Sequence, residues 1–130
     1  MVGSFGAVLH HPSGGDMSGL PFSEAVQARV LLFLAGQVGI DASGRLVPGG
    51  IGPEVRQAMA NVRAVLERNG SSLEHIVKVT VMLADIGEWA AMNAEYVKFF
   101  PSHLPARSAF GTNGLALGAR VEIECVALAP

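Results

Sequence analysis

The sequence predicts an α+β fold in which two helices pack on one face of a mixed β-sheet. Apolar residues alternate with polar ones at 77–83, which is typical of a half-buried strand. Apolar residues recur at helical spacing at 53–68 and again at 89–99. The apolar segment 29–38 is too short for a lone helix and closes near Gly36. A chain of 130 residues is predicted to form one domain over 1–130.

Short strands are predicted to open the chain. Residues 1–18 are expected to be a loosely ordered N-terminal segment with an edge strand at 2–9, since they are rich in Gly and Ser. Strands follow at 25–28 and at 29–38, and the second is expected to be buried because its apolar run is continuous. A turn-rich loop at 41–50 then leads to the first helix.

Both helices carry sequence signals at their ends. Pro53 fits the first turn of the first helix, and Asn69-Gly70 supply its stop. Asp85 is expected to cap the second helix, with Glu88 three residues on as in a capping box. The apolar stripes are Val55, Met59, Val62 and Leu66 in the first helix and Trp89, Met92, Tyr96 and Phe99 in the second.

Three further strands complete the predicted sheet, at 75–83, 106–110 and 119–128. Two amphipathic helices cover only one face of a sheet of this size. The other face is therefore left to another surface, and self-association is the natural way to cover it.

Composition excludes several classes of function. Half of the residues are hydrophobic, 15% are charged and the net charge is −2, without a basic stripe for nucleic acid. No apolar run approaches the roughly 20 residues of a membrane span. The single cysteine, Cys125, fits a reducing, cytoplasmic setting and is expected to be buried. The histidines lack the spacing of a metal set, so no metal is predicted.

The most informative residues lie near the C-terminus. Residues 105–108 read Pro-Ala-Arg-Ser, and 122–124 read Glu-Ile-Glu. Arg107 keeps its charge and needs an anion wherever it is partly buried. It is either half of a structural ion pair or a clamp for a small carboxylate substrate beside a water-activating base. Glu122 and Glu124 share one strand face, and spacing alone leaves the choice between them even.

Short segments in a fixed order carry a resemblance. They are Pro21-Phe22-Ser23, Ala35-Gly36-Gln37, Val77-Lys78-Val79-Thr80-Val81, Asn93-Ala94-Glu95-Tyr96, Pro105-Ala106-Arg107-Ser108 and Val121-Glu122-Ile123-Glu124. Together they resemble the RidA (YjgF) family of enamine/imine deaminases, from about residue 19 to the C-terminus. Each match is weak alone, and the shared order and spacing make the resemblance specific.

The resemblance implies a chorismate-mutase-like α+β domain and a homotrimer with its sites at subunit interfaces. It implies that Arg107 binds the substrate carboxylate and that Glu122 helps to hold the attacking water. By their positions in the matched segments, the resemblance also implies that Gly36 and Asn93 line the pocket. The implied substrates are 2-aminoacrylate and related 2-imino acids, which yield a 2-keto acid and ammonia. The implied chemistry needs no metal or organic cofactor.

The chain departs from the family pattern at two pocket positions. Phe22 stands where the family often has Tyr, and Ala109 stands where many members have Cys. Residues 109–118 are also unusually rich in Gly. These changes bear on substrate size and rate more than on reaction type. Two other functions stay open: a non-catalytic regulatory protein that binds small carboxylates, and an endoribonuclease, for which the sequence lacks a His/Lys pair and a basic track.

Overall fold

The computed structural model describes residues 4–14 and 18–130. The six strands of the sheet have the order β1-β2-β3-β6-β4-β5. They are β1 Val8–Pro12, β2 Ser23–Ala28, β3 Leu31–Val38, β4 Ile76–Leu83, β5 Ala106–Gly111 and β6 Val121–Leu128. The helices are α1 Ile51–Arg68 and α2 Trp89–Tyr96. Only β4 and β5 pair in parallel, so the predicted mixed sheet is confirmed.

The predicted core is confirmed on the face that the helices cover. The stripe of α1 is fully buried, and Gly70 ends this helix with a φ of 78°. Met92 and Tyr96 of α2 join the same apolar cluster. Cys125 is buried, and burial raises the pKa of its thiol to about 12. The strand residues of this cluster are Ala25, Leu32, Leu34, Ile76, Val79, Val81, Leu83, Val121, Ile123, Cys125 and Ala127.

The opposite face of the sheet, called the open face below, has no covering layer within the described residues. Phe33 remains 43% exposed there, while Leu32 and Leu34 are buried on the helix side. The predicted burial of this strand is therefore confirmed on the helix side and wrong on the open face. The strand also starts later than expected, since Arg29 adopts a left-handed φ of 55° in the turn after β2.

Three smaller predictions need correction. The edge strand begins at Val8, and residues 2 and 3 of the predicted strand lie outside the described residues. A register shift between Ile76 and Lys78 places Ile76 in the core and leaves Val77 exposed. The predicted capping box of Asp85 and Glu88 does not form.

Asp85 caps a short 3-10 turn, Ile86–Glu88, and not α2 itself. Its carboxylate accepts a hydrogen bond from the Gly87 N–H at 2.8 Å. The Glu88 carboxylate lies 2.7 Å from the guanidinium of Arg120 instead of reaching back to the cap. The side chain therefore links the start of α2 to the segment that enters β6. No helix in the described residues is long and apolar enough to cross a membrane.

Candidate functional site

Arg107 and Glu122 lie on opposite faces of the sheet. Arg107 on β5 is the register neighbour of Val79, whose side chain is buried under the helices. Glu122 on β6 is the neighbour of Met82 and of Val38, and it alternates with buried residues. Neighbours in register point to the same face of a sheet. The cation and the carboxylate therefore do not meet within one chain, and the site predicted from them is divided into two halves.

The first half, called the arginine half-site, consists of Trp89, Met92, Asn93, Tyr96, Arg107 and Ala109. The Arg107 guanidinium carbon lies 4.9 Å from the centre of the Tyr96 ring and 5.7 Å from that of Trp89. Its Nη1 donates weakly to the Met92 sulfur at 3.7 Å. No carboxylate lies within 4.0 Å of Arg107 in the described part of the chain, so this chain alone does not form the structural ion pair.

Two polar atoms of α2 lack a partner in this half-site. Trp89, Asn93 and Tyr96 follow helical spacing and share one face of the helix. The Asn93 Oδ1 and the Tyr96 hydroxyl are buried, and neither has a hydrogen-bond partner among the described residues. Burial raises the pKa of Tyr96 to about 12, although the Arg107 charge opposes this shift. The hydroxyl is therefore protonated at neutral pH.

Ala109 occupies the position beside this cluster. It lies two residues beyond Arg107 on β5, so both side chains point to the helix face. Ala109 packs against the edge of the core. The small side chain leaves the guanidinium bordered by Met92 and the two aromatic rings.

The second half, called the acidic half-site, consists of Gly36 and Glu122. Gly36 lies in a β-bulge, where the pairing of β3 with β6 shifts between Leu34 and Gln37. A methyl group at Gly36 would lie 2.8 Å from the Glu122 carboxyl carbon, so the glycine makes room for this carboxylate. Burial, and then the nearby negative charge of Glu124, raise the pKa of Glu122 above its usual range.

Side chains from α1 hold the acidic half-site in place. The Asn61 amide donates to the carbonyl of Val38 at 3.0 Å and to that of Ile40 at 2.9 Å, which fixes the end of β3. The buried Glu54 accepts the backbone N–H of Arg120 at 2.9 Å, which fixes the entry to β6. Sequence analysis missed both residues. The sequence feature that could have identified them is a polar residue among the apolar positions of α1.

Phe22 and Gly36 also line a cavity of about 730 Å³ between β2, β3 and α1. Its polar wall includes Asn61 and the ion pair of Arg68 with Glu24, whose charged atoms are 2.8 Å apart. The structure thus places Arg107, Asn93 and Ala109 on one side and Glu122 beside Gly36 on the other, whereas Phe22 shares only the cavity wall with Gly36. Trp89, Met92 and Tyr96, which contact Arg107, were predicted only as packing residues.

Comparison with known proteins shows which protein family the chain belongs to. The family model described as "Endoribonuclease L-PSP" matches residues 17–129. The chain therefore belongs to this family, and its resemblance to RidA (YjgF) proteins is confirmed.

Particular relatives are similar over most of their length. The protein named 2-iminobutanoate/2-iminopropanoate deaminase of Capra hircus is 43% identical over 109 residues, 83% of this chain and 80% of that protein. The human protein of the same name is 40% identical over equal shares. The crystal structure of YEO7_yeast has a TM-score of 0.86 at 33% identity and covers 95% of this chain and 100% of its own. RidA from a Psychrobacter species has a TM-score of 0.81 at 29% identity and covers 92% and 94%.

Proposed function

We propose that this protein is a hydrolase that deaminates small 2-enamine and 2-imino acids, such as 2-aminoacrylate, to 2-keto acids and ammonia. Relatives at about 40% identity carry the name of an imine deaminase, and they support this reaction class. The observation that carries the proposal concerns the neighbours of Arg107. Among the described residues it contacts neutral side chains and no carboxylate lies within 4.0 Å, which leaves its N–H donors for an incoming carboxylate.

The complete site is shared between copies of the chain in this proposal. Arg107 and Glu122 point to opposite faces, so no substrate reaches both within one chain. The open face also needs a covering surface. A chorismate-mutase-like homotrimer meets both needs, with the arginine half-site of one copy facing the acidic half-site of the next.

Arg107 holds the substrate carboxylate through two N–H donors and so fixes the position of C2. The protonated imine is already electrophilic, so water adds at C2 without covalent catalysis by the protein. Glu122 accepts a proton from this water as the C–O bond forms. The Glu122 proton then passes to nitrogen. The C–N bond breaks as the hydroxyl proton of the carbinolamine returns to the Glu122 carboxylate, and the keto acid and ammonia leave.

The raised pKa of Glu122 suits this exchange, because a more basic carboxylate accepts the proton of water more readily. Asn93 supplies a free amide oxygen, which accepts from the imine N–H. Gly36, Phe22 and Ala109 shape the pocket. We further propose that residues 1–130 act as one domain and that the protein is cytoplasmic, in keeping with its single cysteine.

A coupled assay tests this function. A pyridoxal-phosphate dehydratase generates 2-aminoacrylate, and release of the keto acid is followed with and without the protein. We expect hydrolysis to accelerate in proportion to protein concentration. Unchanged hydrolysis, together with binding of 2-ketobutyrate, would instead indicate the non-catalytic binder. Light scattering during size exclusion measures the assembly, and a mass of three chains is expected.

A further inference from the structure

Arg107 is unusual in the way that its charge is held. The side chain is half-buried, but within the described residues no acidic group neutralises it. Two aromatic rings stand within the range of a cation–π contact, at 4.9 Å for Tyr96 and 5.7 Å for Trp89. Guanidinium groups stack on ring faces without using their in-plane N–H donors.

We propose that Trp89 and Tyr96 are positioning residues that clamp the Arg107 guanidinium between their rings and thereby set the affinity of the site for 2-oxo and 2-imino carboxylates. The proposal rests on the function above. An acidic partner would hold Arg107 equally well, but it would compete with the substrate for the same N–H donors. Ring faces orient the cation and leave these donors free.

The placement of the two rings on α2 supports this role. Trp89 and Tyr96 are seven residues apart, about two helical turns, so both rings project from one helix face toward β5. Tyr96 is 4% exposed and packs against Phe100, with ring centres 5.0 Å apart, which fixes its ring. Trp89 is 47% exposed and closes the side toward solvent.

Variants that lack one of the two rings distinguish loss of the clamp from a general structural defect. We expect Trp89→Leu and Tyr96→Leu to raise the Kd for 2-ketobutyrate by between about threefold and thirtyfold, the range of one cation–π contact. KM for the imine rises similarly while kcat is largely retained, because the carboxylate contact is present in both ground and transition states. A merely structural defect would lower the active fraction and leave KM unchanged.

Two control variants sharpen the test. Tyr96→Phe keeps the ring and removes the hydroxyl, so its Kd for 2-ketobutyrate should rise clearly less than that of Tyr96→Leu. Phe99→Leu removes an equivalent contact elsewhere, the ring that lies 5.2 Å from the Arg63 guanidinium, and should leave Kd unchanged. Isothermal calorimetry measures Kd in all variants. Trp89 is the only tryptophan, so its emission reports 2-ketobutyrate binding directly in the Tyr96 variants.

The outcomes are distinct. A larger loss of affinity when a ring is removed than when only the Tyr96 hydroxyl is removed supports the clamp. Unchanged Kd in both leucine variants, equal weakening by Tyr96→Phe and Tyr96→Leu, or no 2-ketobutyrate binding by the wild type would overturn it. If Tyr96→Leu fails to fold, the more exposed Trp89 decides. Expected Kd changes without any turnover would overturn the deaminase function alone, and turnover with unaltered KM would overturn the clamp alone.

Discussion

The two half-sites hold their charges in different ways. Arg107 lies on the edge strand β5 beside the short helix α2, where its contacts in the described part of the chain are with the neutral side chains of Trp89, Met92 and Tyr96. Glu122 lies on the interior strand β6, where it is partly buried near Glu124 and fits the space left by Gly36. A guanidinium stays charged in any protein and needs only to be oriented. The pKa of a carboxyl group depends on its surroundings, and burial beside a like charge raises it.

The difference also explains why neither half is complete. The arginine half-site has buried polar atoms without partners, on Asn93 and Tyr96. The acidic half-site has a carboxylate of raised pKa, and no cationic group of residues 4–14 or 18–130 lies within 4.0 Å of it. Each half supplies what the other lacks, which is the basis for placing the reaction between copies.

The largest effect is expected at the acidic half-site. Glu122→Gln keeps the shape of the side chain and removes the base, so kcat should fall by about 10²–10⁴-fold, the usual contribution of a general base. Steady-state kinetics with the coupled assay measure this loss. Glu124→Gln, on the same strand face, is the matched control and should retain most of kcat. Equal losses in both variants would mean that Glu122 is not the specific base.

The arginine half-site should respond mainly through substrate affinity. Arg107→Ala removes two charge-assisted hydrogen bonds, so kcat/KM should fall by about a hundredfold. Arg107→Lys keeps the charge but not the paired donors, so its kcat/KM should lie between those of the wild type and Arg107→Ala. The Kd for 2-ketobutyrate should weaken in the same order. A wild-type Kd in Arg107→Ala would assign the carboxylate to another residue.

A backbone change should affect one half without removing any functional group. Gly36→Ala places a methyl group against the Glu122 carboxylate, and kcat should fall by about tenfold as the base is displaced. Gly52→Ala is the control, because its new methyl group would meet only ordinary contacts, at 3.5 Å from Arg56. That helix variant should keep its activity and gain up to about 1 kcal/mol in free energy of unfolding.

The smallest effect concerns pH. Glu122 acts as a base only when ionised, so kcat should fall as pH decreases through its raised pKa. Glu124→Gln removes the second cause of the shift, and the acid limb of the profile should therefore move to lower pH. Burial remains, so the limb should stay above that of an ordinary glutamate. Glu95→Gln, which changes a half-buried ion-pair residue on α2, should leave the limb unmoved.

Local patterns predicted most of the fold. The stripe of α1 and the alternation along β4 depend on neighbours in sequence, and both were found. The exposure of Phe33 was missed because it depends on the uncovered face of the sheet, and that of Val77 because it depends on a register shift. Neither feature can be inferred from the neighbouring residues in sequence. Asp85 was recognised as a cap, but the short 3-10 turn that it caps was not.

The candidate site was predicted as a set of residues and not as an arrangement. Motif order identified Arg107, Glu122, Gly36 and Asn93, whereas the sheet order that puts Arg107 and Glu122 on opposite faces was not deducible from spacing. The aromatic neighbours of Arg107 were missed because packing against the core and stacking on a cation call for the same helical spacing. Only the position of β5 next to α2 separates these two roles.

Mixing two inactive variants tests the shared site most directly. Arg107→Ala and Glu122→Gln chains are each assembled alone, then unfolded together in equal amounts and refolded, with co-assembly verified by native mass spectrometry. A site built from Arg107 of one copy and Glu122 of the next predicts recovery of about a quarter of wild-type activity on random mixing in a cyclic trimer. Activity no greater than that of the separate variants, in verified mixed assemblies, would contradict the account.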